Sequence, residues 1–178
     1  MSEFEEQLKN DGFTVFPIAV PEPSPKAKEF RKLCEKNECG EYGTNWGCPP
    51  GVGTLEEITK ALGLVSKAFL VRKRYELNPN DRGEVKQASD DMASHVRRAA
   101  GMMIAEASVK MIGDGGCHYC GVCTYPNGEC KQPLMRIDSV SAYGIDIEEV
   151  LRQVDLEFVF EKDAITLNSI LLVGELRP

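Results

Sequence analysis

The chain has 178 residues, 42% of them apolar and 28% charged, and a formal net charge of -7. A chain of this size can bury on the order of 70% of its unfolded surface, so we expect a single domain over residues 1–178. The negative charge argues against a nucleic-acid partner, because phosphate binding draws its energy from clustered Lys and Arg. The best candidate for a membrane span, Ile165–Val173, is far shorter than the roughly 18 residues required, so no membrane partner is expected.

The first half of the chain carries clear strand, helix and turn signals. Periodicity and turn residues predict, in order, a strand over 14–20, a helix over 26–36, a glycine-rich loop over 37–53, a helix over 54–62 and a strand over 68–75. The second helix has the sharpest start, because Thr54 and Glu57 have the spacing of a capping box.

The second half begins with the clearest helical periodicity. Apolar residues from Val85 to Met111 recur every three or four positions, which predicts one long helix from about Glu84 to Ile112, capped by Gly113. A short helix is then expected over 146–151.

The last strands are predicted to form a hairpin, with one strand over 156–160 and the other over 165–173. The order of the elements predicts an α+β fold with a ferredoxin-like helix/sheet layer. Cysteine-rich metal-binding loops, about 34–50 and 113–133, are expected at one end of that layer.

Seven cysteines fall into two groups. The downstream group has three cysteines at three-residue spacing and a fourth close behind: Cys117, Cys120, Cys123 and Cys130. The upstream group is Cys34, Cys39 and Cys48. An odd count leaves one cysteine unpaired in any disulfide scheme, and residues 2–6 are acidic where a secretory signal would be basic. We therefore expect free thiols and a cytoplasmic location.

Metal binding is the expected role of all seven cysteines. Neighbouring thiolates repel one another, and an unperturbed thiol has a pKa of about 8.5, so a multivalent metal centre would stabilise the deprotonated forms. Structural zinc usually takes two separated cysteine pairs, whereas a tight triplet followed by a fourth cysteine is typical of a cubane iron–sulfur cluster. The spacing predicts a 4Fe–4S cluster rather than 2Fe–2S, with zinc as the alternative.

The number of clusters stays open at this point. Seven ligands can be divided as four plus three, which gives one fully ligated cluster and a second with an open iron that could bind substrate. The rival count is one cluster held by the Cys117–Cys123 triplet with Cys130 or an upstream cysteine, the others being spare. Cysteines of one motif can serve different clusters, so Cys130 is assigned to neither.

The other polar residues near the cysteines are not expected to be metal ligands. We expect His118 beside the ligands or at the surface, and Arg97-Arg98 on a solvated face of the long helix. The sequence contains no Gly-x-Gly-x-x-Gly fingerprint and no Walker loop, so nothing supports a nucleotide-dependent enzyme.

Three motifs resemble those of a known family. They are Asn45-Trp46-Gly47-Cys48-Pro49-Pro50, Cys117-x2-Cys120-x2-Cys123-x6-Cys130-x2-Pro133 and Ala142-Tyr143-Gly144-Ile145-Asp146. Over most of its length the chain resembles the predicted metal-binding proteins called domain of unknown function 2284. The resemblance implies metal or iron–sulfur binding and no particular reaction. One departure is that Ser141 occupies the position of a glutamate in the family's Arg-Pro-Ser-Met-Glu-Ala run.

The expected function is therefore that of an iron–sulfur protein with one or two 4Fe–4S clusters. It would serve in electron transfer or as a component of a cluster-dependent enzyme, with an unidentified redox partner protein or small-molecule substrate. The alternative is a zinc-binding structural or interaction module.

Overall fold

A computed structural model describes residues 2–175, so Met1 and residues 176–178 of the predicted domain lie outside the described part. The described chain folds as a mixed α+β structure, which confirms the predicted class. Its elements are α1 (Glu3–Asn10), β1 (Thr14–Ile18), α2 (Ala27–Glu35), α3 (Leu55–Leu62), β2 (Val65–Glu76), α4 (Arg82–Met103), β3 (Ser108–Gly113), a short 3₁₀ helix (Pro133–Met135), β4 (Ile137–Ser139), α5 (Ile147–Arg152) and β5 (Ala164–Gly174). None of these helices is long and apolar enough to cross a membrane.

The five strands form one sheet in the order β1-β2-β5-β3-β4. Neighbouring strands are antiparallel except for β3 and β4, which are parallel. Helix α4 connects β2 to β3, and β5 lies between these two strands in the sheet. The elements β2, α4 and β3 therefore make a split β-α-β unit.

Helices cover both faces of the sheet. Leu8 of α1 and Val96 of α4 pack with Val71 and Leu171 on one face. Helices α3 and α5 pack on the other face, against Leu70, Ile112 and Ile170. Because successive residues of a strand point to opposite faces, the apolar strands β2, β3 and β5 supply both cores at once.

Most predicted elements of the first half lie where the sequence places them, and so does the short helix α5. The capping box at the start of α3 is confirmed, because the Thr54 hydroxyl accepts from the Glu57 amide at 3.2 Å and Glu57 Oε2 accepts from the Thr54 amide at 2.7 Å. This pair of hydrogen bonds fixes Thr54 as the residue at which the preceding loop ends and α3 begins.

The prediction of one helix from Glu84 to Ile112 is wrong in its last third. Helix α4 ends at Met103, and residues 108–113 form β3 between β5 and β4. The buried Val109 and Met111 are compatible with a strand as well as with a helical stripe, and pairing on both sides of β3 decides between them. Gly113 is consequently the last residue of a strand and not a helix cap.

The predicted hairpin is also wrong. Residues 156–160 form neither helix nor strand, and Phe160 is 91% exposed. Strand β5 pairs with β2 over residues 164–174 and with β3 over residues 170–174, so its antiparallel partners are strands distant in sequence and not the segment that precedes it. Helix α1, which the sequence analysis did not predict, covers the α4 face of the sheet through Phe4 and Leu8.

Candidate metal centre

The downstream group lies in the loop that joins β3 to β4. Its four thiols, from Cys117, Cys120, Cys123 and Cys130, are free and line one small cavity of about 20 Å³. Cys120 is exposed and the other three are half-buried. The fold thus gathers all four predicted ligands around one point near the surface.

The upstream group lies between α2 and α3. Cys34 is in the last turn of α2, while Cys39 is exposed and Cys48 is buried in the following loop. Burial raises the pKa of Cys48 to about 12, and the charges of Glu41, Cys39 and Cys34 contribute further. Burial also raises the pKa of Cys34. These thiols are neighbours, and Cys48 stays protonated at neutral pH unless a bound cation favours the thiolate.

Asn45 joins the two cysteine loops. Its side chain is buried, and Oδ1 accepts hydrogen bonds from the Gly47 amide at 2.9 Å and from the Cys117 amide at 3.3 Å. Its Nδ2 donates to Glu41 Oε2 at 2.8 Å. One buried amide therefore fixes the start of the downstream group relative to the loop that carries Cys48.

Two glycines allow this close approach. A Cβ on Gly47 would collide with the Ile137 carbonyl oxygen and lie 3.1 Å from the Cys117 Cβ. A Cβ on Gly116 would collide with the Glu41 carboxylate and lie 2.7 Å from Asn45 Nδ2. The loops touch each other so closely that neither position has room for a side chain.

Aromatic side chains close one side of the downstream group. Trp46 lines the same cavity as the four thiols, and its Nε1 donates to the Gly128 carbonyl at 3.1 Å. Its ring stands perpendicular to that of Tyr125, with the centroids 5.0 Å apart. The upstream loop therefore supplies part of the wall around the downstream thiols.

Arg97 corrects a prediction of the sequence analysis, which placed it on a solvated helix face. The side chain is half-buried, its Nε donates to the Met135 carbonyl at 2.9 Å, and its Nη2 lies 4.0 Å from Cys117 Sγ. The guanidinium also stacks over the Tyr119 ring at 4.7 Å. The next residue, Arg98, is exposed and pairs with Asp11, as a surface residue would.

Lys110 and Arg136 are two further cations near the downstream group. The carboxylate of Asp138 is fully buried and pairs with Lys110 Nζ at 2.6 Å and with Arg136 Nε at 2.7 Å. Arg136 lines the same cavity as the four thiols, and Lys110 lies beside it on the shared carboxylate of Asp138. Two cations against one carboxylate leave a net positive charge beside the cysteines.

The upstream group has a cation of its own. Arg31 donates from Nη2 to the Gly53 carbonyl at 2.8 Å, while its buried Nε has no hydrogen-bond partner among residues 2–175. The Arg31 charge opposes the burial effect on the Cys34 pKa, so the two groups are close. A half-buried guanidinium whose buried Nε lacks an acceptor is suited to a negatively charged neighbour.

The thiols thus separate into a group of four and a group of three. Within residues 2–175, no three side chains of His, Cys, Asp and Glu form a group that could hold a metal ion as they stand. His118 is exposed, and its Nε2 lies 3.1 Å from Glu41 Oε1.

The comparison with family models decides the affiliation. The model of the predicted metal-binding protein family DUF2284 matches residues 24–173. The chain belongs to this family. The matched range contains all seven cysteines, so the resemblance in the three motifs is confirmed. Neither the curated proteins nor the solved structures contain a significant match to this chain.

Several residues of the centre escaped the sequence analysis. Asn45 was noted only as part of a motif, and the roles of Arg31, Lys110 and Asp138 were not foreseen. Single charged residues in loops and strands normally face water, so composition and spacing carry no signal for them. Only the fold shows that they are buried beside thiols.

Proposed function

We propose that this DUF2284 protein is an iron–sulfur protein that holds two 4Fe–4S clusters. The downstream group would ligate one cluster fully, and the upstream group would ligate a second through three thiolates, which leaves one open iron. The observation that carries the proposal is that the four downstream thiols line one cavity with Arg136, while the three upstream thiols lie in a separate segment with Arg31 near Cys34.

The charges near the thiols support a negatively charged occupant. A cluster held by thiolates is anionic, and Arg97, Lys110 and Arg136 provide positive charge on the downstream side. Arg31 provides it on the upstream side. Asp138 can neutralise only one of the three downstream cations, so an anionic occupant would offset the remaining positive charge.

The loop around the downstream group can adapt to a cluster. The present cavity has space for about one water molecule, so the thiols would have to move apart to admit iron and sulfide. Cys120 and the neighbouring Val122 are exposed, the latter by 82%, so this part of the loop can shift outward without disturbing the core.

The two clusters would serve different purposes. A 4Fe–4S cluster transfers single electrons, and an iron without a protein thiolate can also act as a Lewis acid. The exposed Cys120 favours electron exchange with a redox partner at the downstream group. The upstream group, whose Cys39 borders a deep cleft, is better suited to a small-molecule substrate.

Two broader proposals accompany this one. The split β-α-β unit formed by β2, α4 and β3 supports a ferredoxin-like layer, with the joined cysteine loops beside the end of β3. Seven free thiols suit a reducing cytoplasm, where such clusters persist.

The proposal is tested by anaerobic purification followed by counts of iron, acid-labile sulfide and zinc per chain. We expect about eight irons, a matching amount of sulfide and no stoichiometric zinc. About four irons would refute the second cluster. Zinc without sulfide would overturn the proposal in favour of a zinc-binding structural or interaction module.

A further inference from the structure

A deep cleft of about 660 Å³ lies between α4 and the end of the sheet, beside both cysteine groups. We call it the α4 cleft. Its polar wall includes Cys39, Glu41, Arg82, Arg97, Asp114 and His118. Ligand sites for small molecules commonly have volumes of about 300 to 1,000 Å³, so this cleft has the size of a binding site.

Small residues keep the cleft open. Ala93 of α4, Gly113 of β3 and Ser169 of β5 contribute to its floor. A Cβ on Gly113 would lie 3.1 Å from both Ser169 Oγ and Ile137 Cγ2, so the glycine allows β3 to pack closely against these neighbours. The N-terminal half of α4 faces this floor with Arg82 and Lys86 where packing against the sheet would require apolar residues.

Some of the charges in the cleft neutralise each other. Lys86 pairs with Asp90 one turn away, and His118 pairs with Glu41 at 3.1 Å. These four side chains therefore contribute little net charge for a ligand, and the remaining charged groups determine what the cleft can bind.

Three charged groups remain. No carboxylate of residues 2–175 pairs with Arg82 or Arg97, and no cation of the same residues pairs with Asp114. Asp114 accepts a hydrogen bond only from the Asn168 amide, at 3.5 Å. The Asp114 side chain is exposed to solvent in the cleft, where a ligand can reach it. The cleft thus offers guanidinium donors and one carboxylate acceptor.

We propose that the α4 cleft binds a small organic acid that carries a hydroxyl or amino group next to its carboxylate. The carboxylate would pair with the guanidinium of Arg82, or with the Arg97 nitrogen atoms that do not donate to Met135, and the neighbouring group would donate to Asp114. Because Cys39 borders the cleft, the ligand would lie beside the upstream group. That the ligand serves as a substrate of an open iron rests on the proposed function. That the ligand binds in the α4 cleft does not rest on it.

The test uses lactate as the minimal probe of this class, with alanine as the amino counterpart. Equilibrium dialysis of the anaerobically purified protein measures the binding of each against two matched controls. Propionate lacks the neighbouring donor, and lactamide lacks the carboxylate. We expect lactate or alanine to bind about tenfold more tightly than either control, since each lost contact involves a charged group. Equal binding of all four compounds, or no binding of lactate and alanine, would overturn the proposal.

Paired variants on α4 locate the binding. Ala93→Leu fills the floor of the cleft and should weaken lactate or alanine binding about tenfold or more. Gln87→Leu adds the same side chain at an exposed position of the same helix and should leave binding unchanged. Equal binding to both variants would show that the probe binds elsewhere and would refute the assignment.

Iron and sulfide counts on the same samples separate this proposal from the previous one. Selective binding of lactate or alanine without iron and sulfide would support the cleft and refute the clusters. Clusters without selective binding would refute the cleft alone. With both present, the bound acid should change the electron paramagnetic resonance spectrum of the reduced protein, and Ala93→Leu should abolish that change.

Discussion

The two cysteine groups present the same ligand atoms in different surroundings. The downstream group is close to the surface and has three cations nearby, Arg97, Lys110 and Arg136. The upstream group has the buried Cys48, one neighbouring cation, Arg31, and an opening toward the α4 cleft. The difference teaches that one fold can place free thiols in surroundings that differ in burial and charge, which under the proposed function would suit one group to electron exchange and the other to substrate chemistry.

The largest expected effect comes from removing one thiol from each group. Cys120→Ser should lose the downstream cluster and Cys48→Ser the upstream one, so each variant should contain about half of the wild-type iron and sulfide. Val122→Ser, in the same loop as Cys120, should keep the full amount. Metal and sulfide analysis of anaerobically purified variants measures this. Complete loss of iron in both variants would mean that the seven thiols form one centre.

The contact between the groups is tested at Asn45. Asn45→Ala leaves the amides of Gly47 and Cys117 without their buried acceptor, which should lower the free energy of unfolding by about 2 to 4 kcal/mol. Both groups should lose iron, because the residue holds both loops. The exposed Asn80 provides the control, and Asn80→Ala should change stability by less than about 0.5 kcal/mol. Thermal unfolding and iron analysis measure these two effects. Loss of iron from only one group would contradict this account.

Individual cations should affect individual clusters. Reduction adds negative charge, so Arg97→Gln should lower the potential of the downstream cluster by some tens of millivolts, or about 1 kcal/mol. Arg31→Gln should lower the potential of the upstream cluster instead. Arg98→Gln, next to Arg97 but paired with Asp11 at the surface, should change neither. Redox titrations followed by electron paramagnetic resonance would count against two separate sites if both arginine variants shifted the same signal.

The smallest expected effect concerns pH and Asp114. Its pKa is raised from 3.8 to about 6 in the folded state, so the native protein binds more protons than the unfolded chain between these values. This residue therefore contributes stability at low pH that is lost as the pH rises through 6. Because the Asp114 side chain is exposed and solvent screens its charge, Asp114→Asn should raise stability at pH 8 by less than about 1 kcal/mol, and by still less at pH 4. Denaturant unfolding at both pH values would contradict this if the gain were larger at pH 4.

The sequence was sufficient where local signals and tertiary structure agree. The capping box of Thr54 and Glu57 placed α3, and the apolar stretch near Ile170 placed β5. The boundary at Met103 could not be predicted, because Ala107 and Met111 fit a helical stripe and only pairing with β5 and β4 makes that segment a strand. The failed hairpin at 156–160 has the same origin, since the strand that pairs with β5 along residues 164–174 is β2, which is distant in sequence.

The candidate metal centre also combines residues that local sequence signals predict with residues that only the fold brings together. Cysteine spacing predicted the two groups, because ligands of one metal centre often come from one loop. The roles of Arg97 and Asn45 depend on how α4 and two loops approach each other. A pair of arginines on a helix normally faces water, and the fold alone distinguishes Arg97 from Arg98.

Mössbauer spectroscopy of protein grown with iron-57 tests the central claim most directly. We predict two 4Fe–4S populations in equal amounts, one of which contains a distinct iron without a protein thiolate that responds to added lactate or alanine. A spectrum with a single, fully thiolate-ligated cluster would contradict the upstream site. The absence of any cluster signal from protein purified without oxygen would contradict the account as a whole.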